Sequence, residues 1–244
     1  MEILGIDVGG SGIKGGIVDT SKGELVTERH RIVTPQPATP EAVIDVIVEI
    51  VEHHKWNGPI GCGFPAAVVN EITKTASNID DSWIGVNASD QIEKATGCPT
   101  HLVNDVDAAA FAEMNFGAGI DEKGTVFMAA FGTGIGTAIF RNGQLIPNTE
   151  LGHITLNGTK AEHYAANSVR ETKDLSWEIW GLRVNEYLNL IESLFWPDLF
   201  IIGGGVSKKF EDFKEYLDVE ARIVPAASRN HAGIIGAALA SLNQ

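Results

Sequence analysis

The sequence predicts an α/β protein made of two similar lobes that face a cleft. Strand and helix patterns alternate along most of the chain, as they do in α/β proteins. Each half also opens with strands joined by a glycine-rich hairpin, before residue 20 in the first half and at Gly132–Gly136 in the second. Because the same order of elements occurs twice, we expect a duplicated lobe of the plan βββαβαβα.

The first half is predicted to begin with an antiparallel meander and to continue as alternating helix and strand. Short apolar stretches separated by glycine or Lys-Gly turns predict the strands. The predicted strands are residues 2–8, 13–19, 24–33, 58–64 and 100–104. Helical spacing of apolar and acidic residues predicts helices at 40–54, at 88–96 and in the Ala-rich run after Asn104.

The second half repeats this order of elements. Strands are predicted at 124–131, 137–140 and 199–202, and helices at 176–195, near 208–216 and at 232–242. The longest helix is predicted to carry one inward apolar stripe. Its members are Leu182, Val184, Tyr187, Leu188, Ile191, Leu194 and Phe195.

These patterns divide the chain into two lobes without a long linker. We expect an N-terminal lobe of residues 1–116 and a C-terminal lobe of residues 117–231. The closing helix, 232–244, is a candidate for packing back on the N-terminal lobe.

The composition argues against several classes of binding partner and of protein. A net charge of −14 argues against binding to nucleic acid or to an anionic membrane, since both reward a basic surface. Two cysteines are too few for a disulfide framework, and no apolar stretch is long enough for a membrane helix. The N-terminus has no signal-peptide pattern, so we expect a cytoplasmic protein.

Two glycine hairpins are candidate phosphate-binding loops. Glycine permits positive φ angles and lets successive backbone N–H groups approach an anion. Each hairpin is followed by a strand, which excludes a Rossmann or Walker loop. Either one alone could be a plain β-hairpin turn, but their recurrence at the start of both halves favours phosphate binding. The candidate residues are Gly9, Gly10, Ser11, Gly12, Lys14, Gly132, Thr133 and Gly134. Asp7, at the end of the first strand, could hold the water shell of Mg²⁺.

The chain resembles the ROK family of sugar kinases and repressors. The resemblance rests on Asp-x-Gly-Gly-Ser-x-x-Lys from Asp7, Gly-Thr-Gly-x-Gly from Gly132, and the glycines Gly203, Gly204 and Gly205. It implies the actin-like, ribonuclease-H-like fold, with donor phosphates on the first two loops and a nucleotide's adenosine at the late glycines. Taken alone, the late glycines could equally be a strand-to-helix turn.

Asn104 and Asp105 form the candidate catalytic motif. Phosphoryl transfer to a sugar hydroxyl needs in-line positioning and a carboxylate that takes the hydroxyl proton. Asn and Asp before a helix are also ordinary caps, so these residues alone leave both roles open. The family resemblance implies that Asp105 is the general base. Asp107 is better explained as an acid near the helix N-terminus.

The resemblance also implies a set of sugar-binding residues. They are Asn78, Asn104, Glu150, His153 and Glu162. Without the resemblance, Glu150 could be a hairpin residue and His153 a core histidine, and Trp83 could lie either at the sugar or in the core. In relatives, the segment around Ala66 lies on the sugar side, and many of them have glycine at this position. Whether the backbone contacts the sugar here therefore stays open.

Cysteines that relatives use to bind zinc are absent from residues 154–175. His153 alone cannot build a four-ligand zinc site, so we expect no zinc. The replacing segment is similar to the polyphosphate glucokinase branch of the family. It supplies Lys160, Arg170 and Lys173, which together with Lys14, Lys208 and Lys209 are candidate polyphosphate contacts, although each alone could be a solvated surface residue.

The sequence therefore predicts a Mg²⁺-dependent kinase that moves the terminal phosphate of polyphosphate to the 6-hydroxyl of glucose. ATP is a further candidate donor, and an ATP-dependent kinase for glucose or another hexose is the main alternative. A sugar-responsive repressor would need a helix-turn-helix before the first loop, and the intact Asp105 argues against a non-catalytic sensor. We expect a homodimer, with helix 176–195 as one candidate surface.

Overall fold

The computed structural model describes residues 1–76, 79–227 and 231–242. The chain forms two compact units, Met1–Phe116 together with Ser228–Gln244, and Gly117–Ala227. Within the described residues, none of the helices combines the length and the apolar character needed to cross a membrane.

A six-stranded sheet forms the centre of the first unit. The strands of this unit are β1 (Glu2–Gly9), β2 (Gly12–Asp19), β3 (Glu24–Leu25), β4 (His30–Ile32), β5 (Ile60–Phe64), β6 (Val68–Val69), β7 (Ile72–Thr73) and β8 (Thr100–Asn104). The order in the sheet is β3-β2-β1-β5-β8, with β4 also paired to β2, while β6 and β7 form a separate hairpin. The strands β1 to β4 are antiparallel, and β5 and β8 add to β1 in parallel. The predicted meander is confirmed, although residues 24–33 form two short strands.

Three helices follow in the first unit, α1 (Pro40–His53), α2 (Ala88–Thr96) and α3 (Asp105–Phe116). The α1 helix begins where Thr39 accepts a hydrogen bond from the N–H of Ala42, with Pro40 in the first turn. Both residues are typical of a helix start. The side-chain oxygen of the cap residue accepts a backbone N–H that has no partner within the helix, and proline has no backbone N–H that would need one. The α2 helix ends at Gly97, whose φ of 71° is left-handed.

The second unit repeats the sheet order of the first. Its strands are β9 (Thr125–Phe131), β10 (Ile135–Arg141), β11 (Gln144–Ile146), β12 (Thr155–Leu156), β13 (Thr159–Lys160), β14 (Leu199–Gly203) and β15 (Arg222–Pro225). The main sheet has the order β11-β10-β9-β14-β15, again an antiparallel meander extended by parallel strands. The duplication predicted from the sequence is therefore present in the sheets.

The helices of the second unit are α4 (Glu162–Ala165), α5 (Asn167–Thr172) and α6 (Trp177–Phe195). The α6 helix begins at Ser176, which accepts a hydrogen bond from the N–H of Ile179. Its buried face packs in an aromatic core that includes Trp180, Tyr187 and Phe131.

Two helix predictions in this unit were wrong in part. Leu182, Leu194 and Phe195, placed in the inward stripe, are exposed, because the buried face of α6 runs through Trp180, Gly181, Val184, Tyr187, Leu188, Ile191 and Glu192. The helix predicted near 208–216 is a pair of short 3₁₀ segments, Gly205–Asp212 and Lys214–Tyr216, with non-helical backbone at Lys209.

The last helix, α7 (Ala232–Ala240), packs against β1, β5 and α3 in the first unit. Glycines permit this close packing. A β-carbon at Gly5 would lie 2.1 Å from the carbonyl oxygen of Ile234, and one at Gly61 would lie 2.0 Å from that of Ala237. At the crossing with α3, a β-carbon at Gly236 would lie 1.6 Å from the carbonyl oxygen of Ala108.

Candidate active site

The first glycine hairpin places a carboxylate and an ammonium group side by side. Asp7 on β1 is the register partner of Lys14 on β2. The Nζ of Lys14 donates to Oδ2 of Asp7 at 2.9 Å, and both side chains remain partly exposed. Two side chains from outside the hairpin bind the backbone of the turn. The hydroxyl of Thr34 donates to the carbonyl of Gly9, and Arg31 donates to the carbonyl of Ser11 at 2.9 Å.

The α7 helix also reaches the carboxylate of Asp7. A β-carbon at Gly233, in the first turn of α7, would lie 2.8 Å from Cγ of Asp7. The positive end of α7 and the ammonium group of Lys14 therefore both lie close to this carboxylate. An ionised carboxylate supplies the hard oxygen that Mg²⁺ prefers, and it can hold the ion through water. Asp7 therefore fits the predicted magnesium role in its chemistry.

At one glycine of each loop, Gly12 and Gly134, close contact is observed in place of the positive φ expected from the sequence. Positive φ was wrong as a reason for these two residues, because neither has a left-handed backbone. A β-carbon at Gly12 would lie 2.6 Å from Nε of Arg31, and one at Gly134 would lie 2.5 Å from Oε2 of Glu162.

Asn104 and Asp105 stand where β8 ends and α3 begins. The Oδ1 of Asn104 accepts the N–H groups of Val106 and Asp107 at 2.9 and 3.1 Å, so the capping role is real. Its Nδ2 donates to the carbonyl of Ala66 at 3.1 Å, which joins the segment around Ala66 to the start of α3. Asp105 is half-buried, and its Oδ1 accepts the N–H of Val106 at 2.9 Å.

Glu71, which the sequence did not single out, holds the strand that leads to Asp105. Its carboxylate accepts the N–H of Leu102 at 2.9 Å and lies 2.9 Å from Nδ1 of His101. Burial raises the pKa of Glu71, but the hydrogen bonds from His101 and Leu102 lower it more, so this pKa lies below its usual range.

Trp83 belongs to the core of the first unit. Its side chain is fully buried, its ring packs edge-on against Phe64, and its Nε1 donates to the carbonyl of Ala38 at 3.0 Å. The core alternative is therefore correct. Asn78, the neighbouring sugar-binding prediction, lies outside the described residues.

The second glycine hairpin is supported by residues distant in sequence. The N–H of Ser168 donates to the carbonyl of Gly132 at 3.0 Å, and its hydroxyl donates to that of Thr133 at 2.6 Å. Gly204 adopts φ 80° and ψ −175°, and a β-carbon there would lie 2.3 Å from the carbonyl oxygen of Phe131. Gly204 therefore packs on Phe131, the residue directly before this loop.

Glu150, His153 and Glu162 lie together beside the second loop. His153 lies between the two carboxylates, with Nε2 3.4 Å from Oε1 of Glu162 and Nδ1 3.9 Å from Oε2 of Glu150. Lys160 lies 3.8 Å from Oε1 of Glu162. Carboxylate and imidazole groups in one cluster can bind several hydroxyl groups of a sugar, as donors and as acceptors.

The local sequence fixes the turn that carries His153. A β-carbon at Gly152 would lie 2.1 Å from the carbonyl oxygen of Ile135, so this turn needs glycine to pack on the strand that follows the second loop. The hydroxyl of Thr137 accepts a hydrogen bond from the N–H of Leu151 at 3.2 Å and donates one to the carbonyl of Thr149. The turn is thereby tied to the same hairpin that forms the loop.

The predicted polyphosphate cations differ in their surroundings. Arg170 stacks over Trp177, with Cζ 4.1 Å from the ring centre, and donates to Asn167 at 3.1 Å. Lys209 pairs with Asp212 at 3.9 Å, and Lys173 and Lys208 are exposed. In the part of the chain that the structure describes, His, Cys, Asp and Glu form no group of three or more that could hold a metal ion.

Comparison with known proteins identifies the relatives of this chain. The model of the ROK family matches residues 3–173. Polyphosphate glucokinase from Mycobacterium tuberculosis (strain ATCC 25618 / H37Rv) is 49% identical over 240 residues, which are 98% of this chain and 91% of the relative.

Two solved structures share the fold over nearly the whole chain. The inorganic polyphosphate/ATP-glucomannokinase from Arthrobacter sp. strain KM is 41% identical, with a TM-score of 0.94 over 100% of this chain and 99% of the other. A ROK family glucokinase from Streptomyces griseus, in complex with glucose and AMPPNP, is 25% identical, with a TM-score of 0.79 over 98% of each chain. The predicted actin-like, two-lobed fold is confirmed.

Proposed function

Because the chain belongs to the ROK family, we propose that it transfers the terminal phosphate of polyphosphate to the 6-hydroxyl of glucose. The relatives that carry the names polyphosphate glucokinase and polyphosphate/ATP-glucomannokinase match almost its full length. Full-length similarity at these identities supports the same reaction here.

One structural observation carries the proposal on the protein side. The second glycine loop and the carboxylate–imidazole cluster are in contact within one unit, since Gly134 lies directly against the carboxylate of Glu162. A phosphate on the loop and a sugar on Glu150, His153 and Glu162 would therefore be neighbours. Such proximity is what a direct transfer between the two requires.

Asp105 is the proposed general base. In the reaction, the oxygen of the 6-hydroxyl forms a bond to the terminal phosphorus while its proton passes to the carboxylate of Asp105. The bond between that phosphorus and the bridging oxygen breaks, and the shortened polyphosphate leaves with the electron pair. Hydrogen bonds fix the helix start on which Asp105 lies, so the carboxylate is held in place.

The proposed donor-binding residues are those of the two loops. They are Gly9, Gly10, Ser11, Gly12, Lys14, Gly132, Thr133 and Gly134. Asp7 is proposed to hold Mg²⁺ through water, and the ion, when bound, would neutralise donor oxygens. The proposed sugar-binding residues are Asn78, Asn104, Glu150, His153 and Glu162.

ATP is proposed as a second donor. The turn of Gly203, Gly204 and Gly205 packs through Gly204 on Phe131, directly before the second loop, where an adenosine could follow the phosphates. The Arthrobacter relative is a polyphosphate/ATP-glucomannokinase, which supports this extension.

We further propose a cytoplasmic homodimer. Apolar residues of α6 that do not face the core, among them Ile179, Leu182 and Leu194, are about half exposed or more, and Trp196 after the helix is 69% exposed. Such residues support an interface on this helix. The two buried free cysteines, Cys62 and Cys98, suit a reducing compartment.

The reaction is tested by measuring glucose 6-phosphate formed from polyphosphate, with Asp105→Asn as the key variant. We expect Asp105→Asn to lower kcat by about two to four orders of magnitude with little change in glucose affinity, because the base acts in the transition state. Asp90→Asn is the matched control, since Asp90 is an exposed acid in the first turn of α2. Near-normal turnover by a folded Asp105→Asn protein would show that Asp105 is only part of the helix start.

A further inference from the structure

Arg31 lies in a row of charged residues that crosses the edge of the first sheet. On β2, Lys14 has two register partners, Asp7 on β1 and Arg31 on β4. Directly opposed residues on neighbouring strands project from the same face of a sheet. Asp7, Lys14 and Arg31 therefore share one face, beside the first glycine loop.

The guanidinium of Arg31 lies directly against that loop. Its Nη2 donates to the carbonyl of Ser11 at 2.9 Å. A β-carbon at Gly12 would lie 2.6 Å from Nε and 2.7 Å from Nη2 of Arg31. The guanidinium thus occupies the space that a side chain at position 12 would need.

The positive charge of Arg31 is not neutralised by the loop. Lys14 has Asp7 as its partner at 2.9 Å. Among the residues that the structure describes, no carboxylate lies within ion-pair distance of Arg31, whose polar contact is the uncharged carbonyl of Ser11. Two cations opposite each other on adjacent strands repel, so a bound anion beside them would relieve this repulsion.

We propose that Arg31 binds a phosphate of the donor at the first loop. Guanidinium presents several N–H groups in a plane that matches phosphate oxygens, and one bond to Ser11 leaves others to donate. An exposed cation beside the loop also counters the repulsion between a polyanion and a chain of net charge −14. This inference rests on the proposed function, because it assigns the first loop to a phosphate donor.

The test uses inorganic tripolyphosphate, whose binding to the full chain is measured by calorimetry together with donor KM and kcat. Arg31→Gln removes the charge but keeps an N–H donor for the Ser11 carbonyl, whereas Arg31→Lys keeps the charge. We expect Arg31→Gln to bind tripolyphosphate about ten- to a hundredfold more weakly, as for the loss of a charge-assisted hydrogen bond. Its donor KM should rise in parallel, its kcat should change little, and Arg31→Lys should recover most of the affinity.

Lys22→Gln is the control, because Lys22 is an exposed cation in the turn after β2, at the end of that strand away from the first loop. An Arg31→Gln protein that binds tripolyphosphate as tightly as the wild type would overturn the inference while leaving the proposed function intact. If Lys22→Gln weakened tripolyphosphate binding equally, the effect would come from net charge alone, and the inference would also be overturned. A wild-type chain that neither binds tripolyphosphate nor uses polyphosphate would contradict the proposed function itself.

Discussion

At the scale of single residues, the glycines of this chain lie in two different physical surroundings. Gly12 and Gly134 have no left-handed backbone, but a charged group occupies the space of their missing side chains. Gly204 differs, because its φ of 80° and ψ of −175° fall in a region that only glycine adopts readily. The late glycine turn thus has a structural need for glycine that is independent of any ligand.

We predict that Gly204→Ala destabilises the protein and that Gly205→Ala does not. The strained backbone alone costs about 1–3 kcal/mol, and the β-carbon would also meet the carbonyl of Phe131. Gly205 is the matched control, since nothing lies within 4 Å of its missing β-carbon and its φ is not left-handed. Urea denaturation of both variants measures this difference, and equal midpoints would contradict the account.

Residue-level reasoning from sequence found the charged and glycine positions but not their contacts. Lys14, Glu150, His153 and Glu162 were predicted by motif, and the structure gives Lys14 a partner and brings the other three together. Arg31 and Ser168 were missed because each reaches its loop from a distant segment, 20 and 35 residues away in sequence. No spacing rule connects such residues before the strand register is known.

At the scale of elements, the strands and helices with clear end signals were predicted well. Local cap residues mark the ends of these helices. The α1 helix begins after Thr39, with Pro40 in its first turn, α2 ends at Gly97, and α6 begins after Ser176. The exposed face of α6 was misjudged because apolar residues occur on both sides of that helix. Spacing cannot tell a core from an outer apolar face, since burial depends on which elements pack against the helix.

The packing of α7 on the first sheet gives a prediction at this scale. Gly61 and Gly63 lie two residues apart on β5, facing the same side. Gly61→Ala should cost at least about 1–3 kcal/mol of stability, as overpacking does, because its β-carbon would meet the backbone of α7. Gly63→Ala should be far milder, since its nearest neighbour, the β-carbon of Ala108, is 3.4 Å away. Chemical denaturation compares the two, and similar losses would argue against close helix–sheet contact.

At the scale of the whole molecule, one contribution to the pH dependence of stability comes from a histidine at the end of α1. Burial lowers the pKa of His54, a hydrogen bond with the backbone of Gly15 opposes this shift, and the neighbouring His53 and His30 add to it, so this pKa lies below 6.5. The folded chain therefore releases this proton more readily than the unfolded chain. The stability is fully present above pH 6.5 and is lost as the pH falls through the lower folded pKa.

We predict that the urea midpoint falls as the pH is lowered below 6.5, and that His54→Gln reduces this fall. His163→Gln is the control, because His163 is an exposed histidine in the other unit. An unchanged pH profile in His54→Gln would show that His54 does not contribute to the dependence.

The central claim is that this chain transfers phosphate from polyphosphate to glucose. It concerns the whole molecule, because the reaction depends on donor binding, sugar binding and the charge of the protein. The measurement that tests it most directly is kcat/KM for glucose phosphorylation with polyphosphate and with ATP, side by side and at low and high salt. We predict that polyphosphate is used at least as well as ATP. Its advantage should shrink as salt rises, since a longer polyanion makes more ion contacts that salt screens. Brisk phosphorylation of glucose by ATP, with no detectable use of polyphosphate, would contradict the claim.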